Sequence, residues 1–194
     1  MEWLVIGISG VTCSGKTTLA RKLHQDFKNS ILFEQDTYFL PIDNPRHVWV
    51  KELNHINFDI LPSLDMKKMY SDIRRILDEK PLKSVVGASE TEKNIFIIEG
   101  FLIFDYKPIS DLCSLKYFLT LEKEECFRRR ELRVYDPPDG PGYFDKVVWP
   151  EYVNHKTAIM NNKELASIQF CDASNSQEEV YKTVLNDIKI NLKN

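Results

Sequence analysis

The sequence has no strong excess of either charge: 26 Lys and Arg stand against 29 Asp and Glu, a formal net charge of −3 at pH 7. A general nucleic-acid surface usually carries a basic excess, so this balance argues against one. Cysteine is scarce too, with Cys13, Cys113, Cys126 and Cys171 the only four. None forms a C-x-x-C pair and no histidine stands at ligand spacing from another, so the thiols read as buried or incidental in a reducing compartment. Internal repeats, low-complexity tracts and Gly/Ser linkers are also lacking. Long hydrophobic runs are missing at the start of the chain, where the apolar stretch Trp3–Ile8 is too short to span a membrane. It also lacks the basic n-region and cleavage site of a signal peptide. The expected location is the cytosol, compatible with a nuclear pool, with no membrane and no nucleic acid as partner.

What is present is an α/β pattern. At 194 residues, 43% of them hydrophobic, the chain suffices for one well-buried domain and is short for two. Apolar strand-like runs alternate with segments of helical period, the signature of a parallel sheet flanked by helices. The strands expected are 3–8, 30–34, 95–98, 116–121 and 166–170. The helices expected are 16–27, 65–78, 123–133, 148–161 and 177–191. Met66, Met69, Tyr70, Ile73, Ile76 and Leu77 share one helical face, as do Val180, Tyr181, Val184, Leu185, Ile188 and Leu192. The Pro/Gly-rich stretch Asp136–Gly142 reads as a surface loop able to close over a ligand.

The sharpest motif is Gly10-Val11-Thr12-Cys13-Ser14-Gly15-Lys16-Thr17, which matches G-x-x-x-x-G-K-[ST]. It lies between an apolar strand and a helix, the context such a phosphate loop requires. Its glycines let the backbone curl so that successive N–H groups face phosphate oxygens, and the following helix adds its positive end. Lys16 is expected at the β- and γ-phosphates and the Thr17 hydroxyl on magnesium, with Thr18 completing the nucleotide-binding run. Cys13 reads as a spacer.

In a parallel sheet, ligands gather beyond the carboxyl ends of the strands. Asp36 follows the Ile31–Gln35 run, and Glu99 follows Ile95–Ile98. Packing explains an acid in such a place poorly, because a buried carboxylate needs partners. Beside a nucleotide it binds magnesium or takes the acceptor hydroxyl's proton, so Asp36 is the expected general base and Glu99 a second metal-side or substrate-side carboxylate. The bland alternatives are a cap for Asp36 and a solvated strand end for Glu99. Phe58-Asp59 reads either as a stacking face beside a ribose-binding carboxylate or as a core aromatic with a helix cap.

Arg128, Arg129, Arg130 and Arg133 crowd the end of a helix opened by Glu122, Glu124 and Glu125. A solvated basic helix terminus is the default reading. Four guanidiniums in six residues, leading into the Pro/Gly loop, also suit a lid over a transferring phosphoryl group, at about residues 128–146.

These motifs together resemble the nicotinamide riboside kinases, within the uridine-kinase-like P-loop kinases. The resemblance rests on Ile6–Thr12 with Ser14–Leu19, Gln35-Asp36, Ile97–Leu102, Tyr106–Pro108, Tyr117–Thr120, Arg128–Arg130, Arg133–Tyr135, Pro137–Asp139, Pro141–Asp145 and Val148–Pro150. It implies a single kinase domain over residues 1–194, acting as a monomer. That domain would move the ATP γ-phosphate to the 5′-hydroxyl of nicotinamide riboside or nicotinic acid riboside. By the same resemblance Asp36 is the base and Thr17 and Asp36 flank magnesium. Phe58 stacks on the pyridine, Asp59 holds ribose hydroxyls, and Phe39, Arg130, Tyr135 and Asp136 face the substrate. Arg129, Arg133 and the turn Asn175-Ser176-Gln177 face the nucleotide. Those kinases carry Asp-Asp-Phe-Phe where this chain has Asp36-Thr37-Tyr38-Phe39, and usually Tyr-Asp where it has Phe58-Asp59. Two alternatives stay open: a uridine/cytidine or other small-metabolite kinase on the same scaffold, and a nucleotide-binding adaptor without phosphotransfer.

Overall fold

The computed structural model describes residues 3–79 and 94–193. In chain order the strands are β1 (Trp3–Gly10), β2 (Ser30–Glu34), β3 (Trp49–Val50), β4 (His55–Ile56), β5 (Asn94–Glu99), β6 (Leu115–Thr120) and β7 (Gln169–Asp172). Five of them form one sheet in the order β2-β5-β1-β6-β7, every pairing parallel. β3 and β4 form a separate antiparallel hairpin. The central strands β1 and β5 are buried almost throughout, which is why they read as unbroken apolar runs rather than alternating ones.

The helices are α1 (Lys16–Asp26), α2 (Met66–Asp78), α3 (Lys107–Ser110), α4 (Lys123–Arg130), α5 (Trp149–Asn161) and α6 (Gln177–Lys193). Both apolar stripes face the core as expected. Met66, Met69 and Ile73 of α2 and Val180, Tyr181, Val184 and Ile188 of α6 are buried, and Tyr70, Ile76, Leu77, Leu185 and Leu192 pack against them. The Asp65 carboxylate accepts from the Lys68 amide at 3.0 Å and caps α2. Among the described residues, no helix is long and apolar enough to cross a membrane.

Several boundaries depart from the sequence expectation by a residue or more, and three of them have a clear cause. The last strand is 169–172 rather than 166–170, because its ladder with β6 runs from Tyr117↔Gln169 to Thr120↔Asp172. Ile168 is buried without belonging to that ladder. α4 stops at Arg130 rather than 133, since Leu132 and Val134 are 79% and 99% exposed and give a continued helix no apolar face. α5 begins at Trp149, with Pro150 in its first turn, and a π-helical turn at Phe144–Val148 precedes it. The β3–β4 hairpin and the four-residue α3 carry too little periodicity to be read from sequence.

Candidate active site

Strand order places the site. β2, β5 and β1 are neighbours and parallel, so their carboxyl ends bring Asp36, Glu99 and the phosphate loop side by side. Glu34 of β2 and Ile8 of β1 both pair with Glu99 in register. Just beyond them, Gln35 is fully buried, and its amide oxygen accepts from the Leu102 amide at 3.0 Å. A Cβ on Gly100 would lie 2.3 Å from that of Gln35, so the glycine is what lets the two segments close together. Gln35 thereby fixes the 3₁₀ turn Gln35–Tyr38 that carries Asp36.

The phosphate loop has the backbone its sequence demands. Gly10 (φ 133°), Cys13 (φ 60°) and Gly15 (φ 89°) all adopt positive φ. At Gly10 a Cβ would also meet the Leu119 carbonyl oxygen at 2.1 Å, so no side chain fits. Cys13 holds its left-handed conformation as a non-glycine residue, local strain of the kind that collects at functional sites. Lys16 is buried at the start of α1, and its ammonium donates to the Val11 carbonyl at 2.8 Å.

Electrostatics tie Lys16 to both carboxylates. Burial lowers the Lys16 pKa from its ordinary value, while Glu99 and Asp36 pull it back. Burial pushes Glu99 up to about 7, opposed by Lys16 and by a hydrogen bond from Thr17 and reinforced by Asp36. Asp36 opens onto the cleft, yet enclosure by the cleft walls raises its pKa also, against the attraction of Lys16 and Arg133. Two carboxylates with raised pKa values beside one lysine form a proton-accepting and cation-holding group. Thr17, Asp36 and Glu99 offer oxygen donors only, the chemistry of a hard cation.

Two cavities flank the phosphate loop. The larger, about 320 Å³, is lined by Gly10, Val11, Thr12, Cys13, Gly15, Lys16 and Thr17 on the loop side. Asp36, Phe39, Phe58, Asp59, Glu99, Arg130, Arg133, Tyr135 and Asp136 line the rest of it, together with residues the sequence did not single out, notably Phe101, Tyr143 and His155. The second cavity, about 250 Å³, shares Gly15 with the first and is lined also by Ser14, Thr18, Asn175 and Gln177 among others.

Two of the residues matched to the nucleotide face line neither cavity. Arg129 donates to the carbonyls of Cys13 at 3.4 Å and Ala173 at 3.2 Å and pairs with Glu125 at 2.6 Å, tying α4 to the loop and to the end of β7. Ser176 caps α6: the Glu179 amide donates to its hydroxyl at 3.2 Å, and the Glu179 carboxylate accepts from the Ser176 amide at 3.0 Å. Arg133 lines the larger cleft beside Lys16 and Asp36.

The Pro/Gly segment after α4, expected as a lid, is anchored by Arg130. Its guanidinium makes two bonds to the Asp139 carboxylate at 2.6 and 3.1 Å and a third to the Thr12 hydroxyl at 3.0 Å, and it stacks on Tyr135 with its central carbon 4.1 Å from the ring centre. Burial opposes its charge, but Asp139, Tyr135 and Asp59 outweigh that and keep it protonated. The Tyr135 hydroxyl reaches the Cys13 sulfur at 3.7 Å, a contact between this segment and the phosphate loop. Arg128, by contrast, pairs among the described residues only with Glu125 at the surface, the bland reading of a basic helix end.

At the other end of the cleft, Phe58 sits in an aromatic cage with edge contacts to Phe39, His47 and His55. Phe39 in turn stacks on Phe101. Burial raises the Asp59 pKa to about 6, opposed by Arg130 and reinforced by Asp139. Thr37 is exposed, and its hydroxyl donates to the Glu34 carbonyl at 2.9 Å, so the missing second acid falls outside the cleft. Nothing in the spacing marked Gln35 as a buried anchor or His155 as a cleft residue. Tyr143 and Asp139 stood inside matched motifs without an assigned task.

A family model described as an AAA domain matches residues 6–150. Nicotinamide riboside kinase 1 of Rattus norvegicus is 39% identical over 191 residues, 97% of this chain and 95% of that protein. Uridine kinase of Leuconostoc citreum (strain KM20) is 32% identical over 149 residues, 69% of each. Among solved structures, thymidylate kinase from Candida albicans superposes with a TM-score of 0.56 at 15% identity, covering 98% of this chain and 92% of that one. That last likeness speaks for the fold alone.

Proposed function

This chain belongs to the nicotinamide riboside kinase family, and we propose that it transfers the γ-phosphate of ATP to the 5′-hydroxyl of nicotinamide riboside, forming the mononucleotide. Nicotinic acid riboside is the second acceptor. The observation that carries the reading is the adjacency of Asp36, Glu99 and the phosphate loop at the ends of β2, β5 and β1, facing a cleft whose far wall is Phe58-Asp59. The whole chain works as one kinase domain with a lid at about 128–146.

In this mechanism the 5′-oxygen attacks the γ-phosphorus as the bond to the β–γ bridging oxygen breaks and ADP leaves. The hydroxyl proton passes to Asp36, which burial makes a stronger base than an ordinary aspartate. Lys16 and Arg133, both in the cleft, offset the negative charge spread over the transferring phosphoryl group. Arg130 and Tyr135 hold the lid against the loop and keep water out. Asp59 accepts from the ribose hydroxyls and Phe58 offers its face to the pyridine ring. Asn175 and Gln177, with Thr18, bound the space for the rest of the nucleotide, and Arg129 and Ser176 support its walls.

Magnesium fits the oxygen donors of Thr17 and Asp36, and when bound it supplies charge neutralisation at the phosphates. Among the described residues no group of three or more His, Cys, Asp and Glu could hold a metal alone. That accords with an ion that takes one or two protein oxygens and completes its shell with phosphate and water.

The test is kcat/KM with Mg-ATP for nicotinamide riboside, nicotinic acid riboside, uridine and cytidine. Preference for the two pyridine ribosides supports the reading. Preference for uridine or cytidine leaves a kinase but replaces its acceptor. No turnover of any of the four, with ATP still bound, favours an adaptor.

A further inference from the structure

The segment Ile56–Asp59, which forms the acceptor end of the cleft, is held on one side by Val48, Trp49 and Ser63 and on the other by Tyr143, near the end of the lid segment, and by α5. The Tyr143 hydroxyl accepts from the Phe58 amide at 3.0 Å and lies 3.0 Å from the Ile56 carbonyl, to which it donates. Glu151 of α5 accepts from the Asn57 side-chain amide at 2.8 Å. One turn further along α5, the His155 ring meets the Asp59 backbone carbonyl through Nε2 at 3.0 Å and the Asp105 carboxylate through Nδ1 at 2.7 Å.

Both partners of the His155 ring are acceptors. A neutral imidazole has one N–H and one lone pair, so it satisfies only one of them, whereas the imidazolium satisfies both. We propose that His155, as an imidazolium bridging Asp105 and the Asp59 backbone, is the positioning residue that sets the Phe58–Asp59 segment for the acceptor and makes acceptor binding depend on its protonation. His155 lines the cleft beside Asp59, and the inference rests on the riboside kinase reading for the acceptor's identity.

The charged and polar groups that act on the ring come from three elements. Asp105, in the segment after β5, and the Asp59 carbonyl, in the acceptor segment, both favour the cation. Glu151, on the ring's own helix, adds a smaller push in the same direction. Burial works against the cation, and the three together outweigh it, raising the pKa above the usual histidine value. Among the described residues the second carboxylate oxygen of Asp105 is buried without a hydrogen-bond partner, so the histidine is the anchor shown for this acid. As pH rises through the His155 pKa, the ring loses one N–H and with it one of its two bonds. The acceptor segment then loosens, while the second cavity, which neither His155 nor the Phe58–Asp59 segment lines, is untouched.

The test compares wild type, His155→Phe and His155→Gln for the KM of nicotinamide riboside and of ATP between pH 6 and 9. In His155→Phe, acceptor KM should rise about tenfold, the size of one charge-assisted hydrogen bond, with ATP KM within about twofold. His155→Gln keeps one side-chain donor. It should recover most of the acceptor affinity and lose the rise in acceptor KM that wild type shows toward alkaline pH. Parallel changes in both KM values, or a histidine-free variant that keeps the wild-type pH profile, would overturn the proposal. If His155→Phe does not fold, His155→Gln alone decides through that profile. If wild type turns over uridine rather than a pyridine riboside, the acceptor assignment falls, and the same comparison on uridine still judges His155. If it turns over neither, amide exchange at Phe58 and Asp59 decides, since His155→Phe should speed it and unchanged exchange would reject the role.

Discussion

Glu99 illustrates how a single side chain couples chemistry to stability. Its folded pKa of about 7 lies above the ordinary 4.5, chiefly because it is buried. The folded state therefore binds the proton more tightly than the unfolded chain does, and stability present below about pH 4.5 is lost as pH rises through 7. In the ligand-free protein, Glu99→Gln mimics the protonated form and escapes that loss. The stability gap between variant and wild type should widen between pH 5 and pH 8, with an upper limit of roughly 3 kcal/mol. Thermal unfolding at the two pH values measures it, and a pH-independent gap would contradict the assignment. At this scale the sequence was informative where chemistry forces residue type: Gly10, Lys16, Thr17, Asp36 and Glu99 all reach the cleft. It was silent on Gln35 and His155, because a buried amide and a bridging imidazole take their meaning from partners distant in the chain.

Among the elements, the proposed lid depends on a pair that lies within it. Arg130 ends α4 and is 9% exposed, and Asp139 is nine residues on in the Pro/Gly loop. Asp139→Asn keeps the shape but removes the charge that holds both guanidinium bonds. The loop over 135–143 should then exchange its amides faster, and kcat/KM for the acceptor should fall about tenfold, as expected for a weakened buried pair. Hydrogen exchange with steady-state kinetics checks both, and unchanged values would remove the pair from lid closure. Helix and strand existence was legible wherever periodicity ran long, as in α2 and α6. The end of α4 was not, because four arginines continue a helical pattern that only the exposure of Leu132 and Val134 terminates. The β3–β4 hairpin escaped for a related reason: with two residues per strand, tertiary contacts decide its conformation.

At the scale of the whole molecule, one parallel sheet sets the division of labour. The order β2-β5-β1 gathers the acids and the loop, and the β6–β7 side supplies Leu119, Ala173 and Asn175 to the second cavity. The fold class was legible from the alternation of apolar strands and helices. The kinase family, read from matched motifs, agrees with the full-length similarity to nicotinamide riboside kinase 1. The aromatic cage around Phe58 was beyond sequence reasoning, since His47 and His55 meet that ring only through the hairpin's path. In the proposed mechanism Asp36 takes the acceptor's proton while the phosphate loop holds ATP independently. Measuring kcat and the ATP dissociation constant of Asp36→Asn, with Mg-ATP and nicotinamide riboside, separates the two roles. The expected result is a kcat lower by roughly 10²–10⁴ with ATP affinity within about threefold of wild type. Turnover within about fivefold of wild type, below any ordinary general-base contribution, would contradict it.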